Sequence, residues 1–389
     1  EFSSFRKAAM FVALTFVVAA SSRQVLPQQT ARSGGGHVAS EHASLLMRPP
    51  TRYRRSGAGR LRIERYRRSE IPTTTTMKRR RMTTAASASK YEWFEPVTKF
   101  ELREEQHYNG GTHADKAGLP LLICVPGIDG SGLTAVAQFA ELSQQFELRC
   151  LSFDHADRST FDDIRKAVTM QVKQAKSEGR TVFVLGESFG GIVALSLGIG
   201  DSNDNEDDRE SKPDRLILIN SASSFPRTFL GRISEQLIRV PEPFFSLALL
   251  PLPFMILDVE MFSNIAKAAR DEYPPILQSM ERKAFVARIY PKLLQKLTLR
   301  SDDLKWRVEN WVLDGCGKVN SRLNEIQVPV LAVAGTSDLL LPSKEEAFRF
   351  SREIPQCKVN LVEGAGHAGV LDQRVDLTKI ITGWIGSEM

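Results

Sequence analysis

Short apolar runs alternate with amphipathic stretches from residue 91 to the end of the chain. A continuous apolar run of four to eight residues is typical of a buried strand, whereas apolar residues spaced three and four apart are typical of a helix. The pattern predicts strands at residues 121–125, 146–153, 181–185, 216–219, 328–334 and 359–362, and helices at 161–176 and 192–197. Strands that alternate with helices indicate βαβ units, so we predict an α/β fold with a mostly parallel sheet and helices on both faces.

Two segments interrupt this alternation. Residues 201–212 are rich in Asp, Asn and Glu and lack apolar side chains, which predicts a solvated loop. Residues 225–315 form a long insertion whose apolar clusters are broken by several prolines, which predicts short helices. We interpret this insertion as a helical cap whose apolar inner face packs on the core and lines an acyl or isoprenoid pocket. The alternative is that these residues only pack the cap onto the core.

The first ninety residues have the character of a targeting leader. Residues 10–20 read MFVALTFVVAA, a signal-peptide-like apolar core that follows Arg6 and Lys7 and precedes small residues. Residues 23–90 are rich in Arg, Ser, Thr and Ala and nearly free of acids, which is the composition of a transit peptide. A signal-like segment before a transit-like segment resembles the bipartite plastid leaders of algae with secondary plastids.

We therefore predict a plastid (chloroplast) leader at 1–90 and one domain at 91–389. Secretion or another organelle is the alternative destination. A third reading takes the segment as a disordered basic tail or as translation upstream of a true start at Met77 or Met82. The basic run 78–81 also matches a nuclear-localisation signal, although weakly.

Composition and charge narrow the class of protein. A chain of 389 residues with 42% hydrophobic and 25% charged residues is globular, neither disordered nor collagen-like nor a polytopic membrane protein. Of its 52 Lys and Arg residues 18 lie in 1–90, together with 4 of the 46 Asp and Glu. The rest of the chain is mildly acidic, so we expect no nucleic-acid partner.

The segment GESFGG at residues 186–191 carries a candidate nucleophile. It follows the strand-like TVFVL and precedes the helix-like IVALSL, which is the context of the G-x-S-x-G nucleophile elbow. The glycines are needed because the serine sits on a strained turn where bulky neighbours would clash. We therefore predict that Ser188 is the nucleophile rather than a structural turn residue.

A serine hydroxyl needs a general base, and the partners of an elbow serine follow it in the order acid, histidine. His367 is the only histidine after Ser188, in a loop after the last predicted strand, and we predict it as the base. Asp338, in the exit loop of the strand at 328–334, is the predicted orienting acid. Asp314 precedes that strand and Glu363 lies too close to His367 in sequence, so both are weaker rivals.

Two backbone N–H groups are needed to stabilise the oxyanion of a tetrahedral intermediate. The first predicted donor is Phe189, directly after the nucleophile. The second lies in the glycine-rich loop at 126–132, PGIDGSG, where we choose the Ile128 N–H and keep the Asp129 N–H as the alternative. The loop lacks the Lys-Ser/Thr pair of a phosphate-binding loop.

We expect no cofactor and no metal. Cys124, Cys150, Cys316 and Cys357 are widely separated and match no zinc-ligand spacing, and four cysteines in this length do not make a disulfide scaffold. Cys124 and Cys150 fall in predicted strands and are expected to be small core residues. The chain has no nicotinamide or flavin fingerprint.

Several motifs, in order along the chain, resemble one family, the plant chloroplast phytyl ester synthases, or acyltransferase-like proteins, of the α/β-hydrolase superfamily. The motifs are PGIDGSG, Asp157-Arg158 followed by Phe161, GESFGG, NSRL at 320–323, LLPS at 340–343, EEA at 345–347, CKV at 357–359 and Gly366-His367. The resemblance covers residues 91–389 and implies the α/β-hydrolase fold with Ser188, Asp338 and His367 as the catalytic set. Typical plant members carry a second, lysophospholipid-acyltransferase-like domain, and this chain matches the hydrolase domain only. The string from His367 to Asp372 also fits the H-x4-D pattern of that second domain, but His367 already has the role of base.

The resemblance implies a serine-dependent acyltransferase. It would move fatty acyl groups from lipid esters or acyl thioesters to phytol or glyceride alcohols through an acyl-enzyme. The alternative is a carboxylester or lipid hydrolase with the same three residues, and a non-catalytic lipid-binding or protein-binding relative is a third class. The expected partners are an acyl donor and a long-chain alcohol acceptor, with peripheral association to a membrane or lipid droplet as a further hypothesis.

Overall fold

The computed structural model describes residues 91–96, 118–133, 135–200, 210–241, 244–248, 252–256, 299–371 and 375–387. The predicted leader at 1–90 lies outside these residues. The seven strands are Tyr91–Phe94 (β1), Leu121–Val125 (β2), Glu147–Phe153 (β3), Val182–Glu187 (β4), Arg215–Ile219 (β5), Val330–Gly335 (β6) and Cys357–Val362 (β7). The α-helices are Phe139–Leu142 (α1), Phe161–Ser177 (α2), Phe189–Ile199 (α3), Phe229–Arg232 (α4), Ser234–Ile238 (α5), Phe244–Ala248 (α6), Leu252–Ile256 (α7), Ser301–Arg307 (α8), Asp314–Val319 (α9), Ser343–Glu353 (α10) and Leu377–Gly386 (α11).

The strands form one sheet in the order β1-β3-β2-β4-β5-β6-β7. β1 is antiparallel to β3, and every other pair is parallel. The predicted mostly parallel sheet is confirmed. From β2 the chain moves outward to β3 and then crosses back to β4 on the other side of β2. The direction of winding therefore reverses between β2 and β4.

Alternation along the strands divides the core into two layers. In β2, Leu121 and Ile123 pack with α2, α3 and α10 on one face of the sheet. Leu122 and Cys124 point to the other face and pack with α1 and α11. Helices on both faces are thus confirmed, and they bury the central strands completely. A capping box fixes the start of α2, because the Thr160 side chain accepts from the N–H of Asp163 and the Asp163 side chain accepts from the N–H of Thr160.

The segment between β5 and β6 contains short helices α4 to α7, then α8, a π-helix at Val308–Leu313 and α9. A small apolar cluster of Val240, Phe245 and Leu304 packs against Ile128 of the loop after β2. The N–H of Ala368, next to His367, donates to the carbonyl of Ile256 at 3.1 Å. The described parts of this segment therefore pack onto loops at the carboxyl edge of the sheet. In the described part of the chain, no helix combines the length and apolar character that crossing a bilayer requires.

Candidate active site

The candidate residues lie in loops at the carboxyl edge of the parallel strands. Ser188 follows β4, Asp338 follows β6, His367 follows β7, and the glycine-rich loop follows β2. Val125 and Gly186 are register partners, so the loop after β2 and the turn after β4 begin side by side. This is the point where the winding of the sheet reverses, the usual place for a binding crevice in an open parallel sheet.

Ser188 has the strained backbone that the elbow motif predicts. Its φ of 52° and ψ of −111° are unusual for a residue other than glycine. The strain is held by main-chain bonds on both sides, since the Ser188 N–H donates to Ile219 (2.9 Å) and its carbonyl accepts from Ala222 (2.9 Å). A Cβ on Gly186 would lie 2.1 Å from the carbonyl oxygen of Gly190, so only glycine fits. The turn thus orients the serine side chain at the sheet edge.

His367 bridges Ser188 and Asp338. Its Nε2 lies 3.1 Å from Ser188 Oγ and its Nδ1 lies 2.8 Å from Asp338 Oδ2. A carboxylate only accepts hydrogen bonds, so Nδ1 carries the proton and donates to Asp338, which leaves Nε2 to accept from the serine hydroxyl. The His367 side chain is 7% exposed and the Asp338 side chain 1% exposed. The structure therefore brings together the three residues that the sequence predicts.

The carboxylate that contacts His367 is that of Asp338 rather than that of either rival acid. Asp314 begins α9 and accepts from Lys318 Nζ at 2.9 Å, and Glu363 is an exposed residue after β7. Asp338 instead accepts from the N–H groups of Leu340 (2.8 Å) and Leu341 (3.0 Å). The acid is thus held by its own loop with one oxygen toward the imidazole.

Burial and pairing act in opposite directions on the two titrating groups. Burial alone would raise the pKa of Asp338, but the charge and hydrogen bond of His367, with hydrogen bonds from Ser343 and Leu341, hold that pKa below its usual value. Burial alone would lower the pKa of His367, but the charge and hydrogen bond of Asp338, with the charge of Glu187, raise that pKa above its usual value. The pair therefore favours a carboxylate beside a histidine that takes up a proton readily.

The loop after β2 passes beside the serine. A Cβ on Gly127 would lie 3.6 Å from Ser188 Cβ. The Gly130 N–H donates to the Gly127 carbonyl at 3.0 Å, which turns that carbonyl into the loop. Because a trans peptide directs its N–H opposite to its carbonyl, the Ile128 N–H projects away from the turn. Phe189 is the first residue of α3, so its N–H is one of the four that lack a partner within a helix.

A protein-family model described as Hydrolase_4, serine aminopeptidase S33, matches residues 154–374, more than half of the chain. The chain belongs to this family. Its sheet topology and this membership identify the α/β-hydrolase fold, and the chain is an enzyme of the α/β-hydrolase superfamily.

Two curated relatives of this hydrolase, both from Arabidopsis thaliana, confirm the resemblance stated from the sequence. Phytyl ester synthase 1, chloroplastic, is 28% identical over 269 residues, which are 68% of this chain and 36% of the relative. Phytyl ester synthase 2, chloroplastic, is 24% identical over 283 residues, 69% of this chain and 38% of the relative. The chain thus spans little more than a third of the length of the relatives it matches.

Two solved structures align with this hydrolase at TM-scores below 0.5. MenH from S. aureus has a TM-score of 0.48 at 18% identity, covering 77% of this chain and 98% of that one. The enol-lactonase from Burkholderia xenovorans has a TM-score of 0.48 at 16% identity, covering 76% and 95%.

Asn220, directly after β5, is a residue of the site that the sequence analysis did not single out. Its Nδ2 donates to the carbonyls of His367 (2.6 Å) and Gly366 (3.2 Å), and its Oδ1 accepts from the Gly335 N–H (2.8 Å). Its φ of 44° lies in the left-handed region, which asparagine tolerates better than most residues. The only sequence signal for it is an asparagine directly after a buried strand, which does not reveal its partners in the loop of His367.

Ser343 is a second such residue. Its hydroxyl donates to Asp338 Oδ2 at 2.5 Å, the same oxygen that faces His367. It begins α10, so this helix helps to hold the acid loop.

The cysteines lie apart from this hydrogen-bonded arrangement. Cys124 and Cys150 are buried register partners on β2 and β3, and all four cysteines are free thiols. Among the described residues, no cluster of three or more His, Cys, Asp or Glu side chains is arranged to hold a metal ion. Asp372 of the H-x4-D string lies outside the described residues.

Proposed function

We propose that this hydrolase is a serine-dependent acyltransferase that moves fatty acyl groups from lipid esters or acyl thioesters to phytol or glyceride alcohols. The observation that carries the proposal is the hydrogen-bonded chain from Ser188 Oγ through His367 to Asp338. The reaction class, acyl transfer or ester hydrolysis, is supported by this chain of contacts and by the family. The substrate class is supported by the similarity to the two phytyl ester synthases.

The first half of the reaction acylates Ser188. Its Oγ attacks the carbonyl carbon of the donor while Nε2 of His367 takes the hydroxyl proton. Asp338 stabilises the imidazolium and keeps the ring oriented. The N–H groups of Ile128 and Phe189 stabilise the oxyanion, with the Asp129 N–H as the alternative to Ile128. When the tetrahedral intermediate collapses, the leaving alcohol or thiol receives the proton from Nε2.

The second half passes the acyl group to an acceptor. An alcohol gives up its proton to Nε2 of His367 as its oxygen attacks the acyl carbon, and collapse returns the proton to Ser188 Oγ. An isoprenoid or glyceride alcohol yields a new ester, and water yields a free fatty acid. The same residues serve both outcomes, so transfer requires water exclusion and an apolar site for the alcohol. In this proposal the segment at 225–315 is the cap that supplies both.

The decisive test supplies one donor with both acceptors. The full chain is incubated with a long-chain acyl galactolipid and phytol in buffer, and phytyl ester and free fatty acid are quantified together. Ser188→Ala is the blank, and Ser351→Ala is the matched control because this exposed serine donates only to the nearby Phe348 carbonyl. Mostly phytyl ester supports transfer, and mostly free fatty acid makes the protein a lipid hydrolase. Product that persists in Ser188→Ala refutes the serine mechanism.

The proposal also covers the organisation of the chain. Residues 1–90 act as a plastid leader and residues 91–389 form the hydrolase domain. The chloroplastic relatives and the basic, acid-poor composition of 1–90 support this assignment. Residues 1–90 fused to a fluorescent protein should direct it to plastids. Fluorescence in the secretory pathway or the cytosol would contradict the assignment.

A further inference from the structure

Arg307 is a fully buried cation beside the loop after β2. It ends α8 and directly precedes the π-helix at Val308–Leu313. Its Nη1 donates to the carbonyls of Ile128 (2.9 Å) and Asp129 (2.7 Å), and its Nη2 donates to the carbonyl of Asp154 (3.0 Å). Single π-helical turns are rare and occur often at functional sites.

These contacts fix three successive peptide planes of the loop. The Gly127 carbonyl accepts from the Gly130 N–H, and the next two carbonyls accept from Arg307. Because each peptide is planar, fixing a carbonyl also fixes the N–H of the following residue. The N–H groups of Ile128 and Asp129, the two candidate donors from this loop, therefore each have a defined direction.

Gly130 makes this approach of the guanidinium possible. Its φ of 67° lies in the left-handed region, and a Cβ at this position would lie 2.7 Å from Arg307 Nη1. A side chain would push the cation away from the carbonyls. The requirement for glycine at position 130 of the PGIDGSG motif is thus explained by the approach of Arg307 as well as by the turn.

The same cation is linked to the second donor through an aromatic stack. The guanidinium carbon of Arg307 lies 4.5 Å from the centre of the Trp311 ring, and Trp311 stacks on Phe189 with 5.0 Å between ring centres and 22° between planes. Trp311 Nε1 donates to the Ser159 carbonyl at 2.7 Å, which fixes the indole. Phe189 follows the nucleophile and carries the other predicted oxyanion donor.

Arg307 keeps its charge in this position. Burial lowers its pKa, and Asp129, Asp303 and Asp157 act in the opposite direction. The ordinary pKa of arginine lies so far above neutral pH that the Arg307 guanidinium remains protonated in spite of this lowering. Guanidinium bonds to carbonyls are charge-assisted, so they hold the loop more firmly than neutral donors would.

We propose that Arg307, stacked on Trp311, is a positioning residue. It holds the predicted oxyanion donors, in the loop after β2 and at the start of α3, in the geometry that the transition state requires. This inference rests on the proposed function, because it assigns a role in the same acylation step. Arg307 does not touch the substrate in this scheme. It acts through the peptide planes after β2 and through the ring of Phe189.

The test compares two arginines at opposite edges of the sheet, the fully buried Arg307 and the partly exposed Arg180, which also forms an ion pair with Glu147 (3.0 Å). Arg307→Gln is matched by Arg180→Gln, because Arg180 also donates to a main-chain carbonyl, that of Leu119 (3.1 Å), but before β2 rather than after it. In the full chain, the acylation rate constant is taken from the burst phase with a p-nitrophenyl ester. The affinity for a trifluoromethyl ketone, which forms a tetrahedral adduct with the serine, is measured in parallel.

We expect Arg307→Gln to slow acylation by about 100-fold, the scale of one lost oxyanion donor, and to weaken ketone binding by a similar factor. The dissociation constant of the ester, taken from the concentration dependence of the burst rate, should stay within about twofold, since donors aimed at the oxyanion act mainly in the transition state. Arg180→Gln should match the wild type in all three quantities. A merely structural role of Arg307 would lower the folded fraction without changing the ketone affinity of the folded protein.

Arg307→Lys decides the case if Arg307→Gln does not fold. It keeps the charge and the aliphatic stem but loses the planar guanidinium and its stacking on Trp311, so acylation should slow by about tenfold. Wild-type acylation and ketone affinity in a folded Arg307 variant would overturn the inference. Absence of any Ser188-dependent acylation in the wild type would instead overturn the proposed function, so the two failures are distinguishable.

Discussion

Asn220 offers the sharpest test of how the fold holds the histidine loop. Its amide makes three bonds, to the carbonyls of Gly366 and His367 and from the N–H of Gly335, and its backbone is left-handed. At about 1 kcal/mol each, truncation of the three bonds costs about 3 kcal/mol. In Asn220→Ala, the left-handed backbone adds about 1 kcal/mol or more. Asn220→Gly loses the same bonds without that strain.

We therefore expect Asn220→Gly to be more stable than Asn220→Ala by about 1 kcal/mol, the reverse of the usual order. Asn320 is the matched control, since its side chain donates to Ser223 (3.0 Å) and accepts from Arg349 (2.8 Å) but its φ is −63°. There the Ala variant should be the more stable one. Urea unfolding of the four variants measures both differences.

Activity adds a second reading of the same variants. Both Asn220 variants release the His367 carbonyl, so kcat for ester cleavage should fall by about 10- to 100-fold, as misplacement of a catalytic group by an ångström can do. The Asn320 variants should keep wild-type kcat when corrected for folded fraction. An Asn220→Ala protein as stable as Asn220→Gly, or either one with full activity, would refute the reasoning.

Three further predictions follow from the described contacts. His367 must be neutral to act as the base and its pKa is raised, so kcat/KM should rise with pH through an inflection above the ordinary histidine value of 6.5. Asp338→Asn should move this inflection to lower pH and cut kcat by about 10⁴-fold. A pH–rate profile of both proteins checks the two expectations. Gly190→Ala should prevent folding because its Cβ would lie 2.2 Å from a carbonyl oxygen of β2. Gly317 is exposed in a helix and has open space around it, so Gly317→Ala should stabilise the fold by about 1 kcal/mol and raise the melting temperature. Burial would raise the pKa of Glu346, but Arg349, Ser223 and Arg227 hold that pKa below its ordinary value of 4.5. The stability that the ionised Glu346 contributes to the fold is therefore lost as pH falls below 4.5. Glu346→Gln should flatten that part of the curve of unfolding free energy against pH, measured by urea unfolding.

The sequence predicted the central strands well because they are buried on both faces. β2 was expected at 121–125 and lies at Leu121–Val125. The pattern predicts β7 at 359–362, but the strand begins at Cys357, because this edge strand pairs only with β6 and its residues are partly or fully exposed, which weakens the apolar signal. α3 was expected at 192–197 but begins at Phe189. Its first turn contains Gly190 and Gly191, poor helix formers that are required by close contacts with neighbouring strands and loops.

The candidate nucleophile, base and acid could be found because each follows a strand in a recognisable motif. The residues that hold them could not. Asn220 meets Gly335 and His367 across 115 and 147 positions of sequence, and Arg307 meets Ile128 across 179. No local pattern encodes such partners, since they depend on the order in which the strands assemble. From the sequence alone, an arginine in the insertion is predicted to be an exposed surface charge, because most arginines are exposed. Only the structure shows its burial and its carbonyl partners.

The long sequence separations within the site have a consequence for folding. The bond between His367 and Ser188 spans 179 positions, and the loop after β2 is closed by a residue beyond β5. Contacts of this kind form late because the chain must first lose the entropy of closing a long loop. On refolding from urea, helical circular dichroism should return before esterase activity does. The catalytic arrangement is then the last part of the molecule to be assembled, and a chain stalled on the way would look folded while remaining inert.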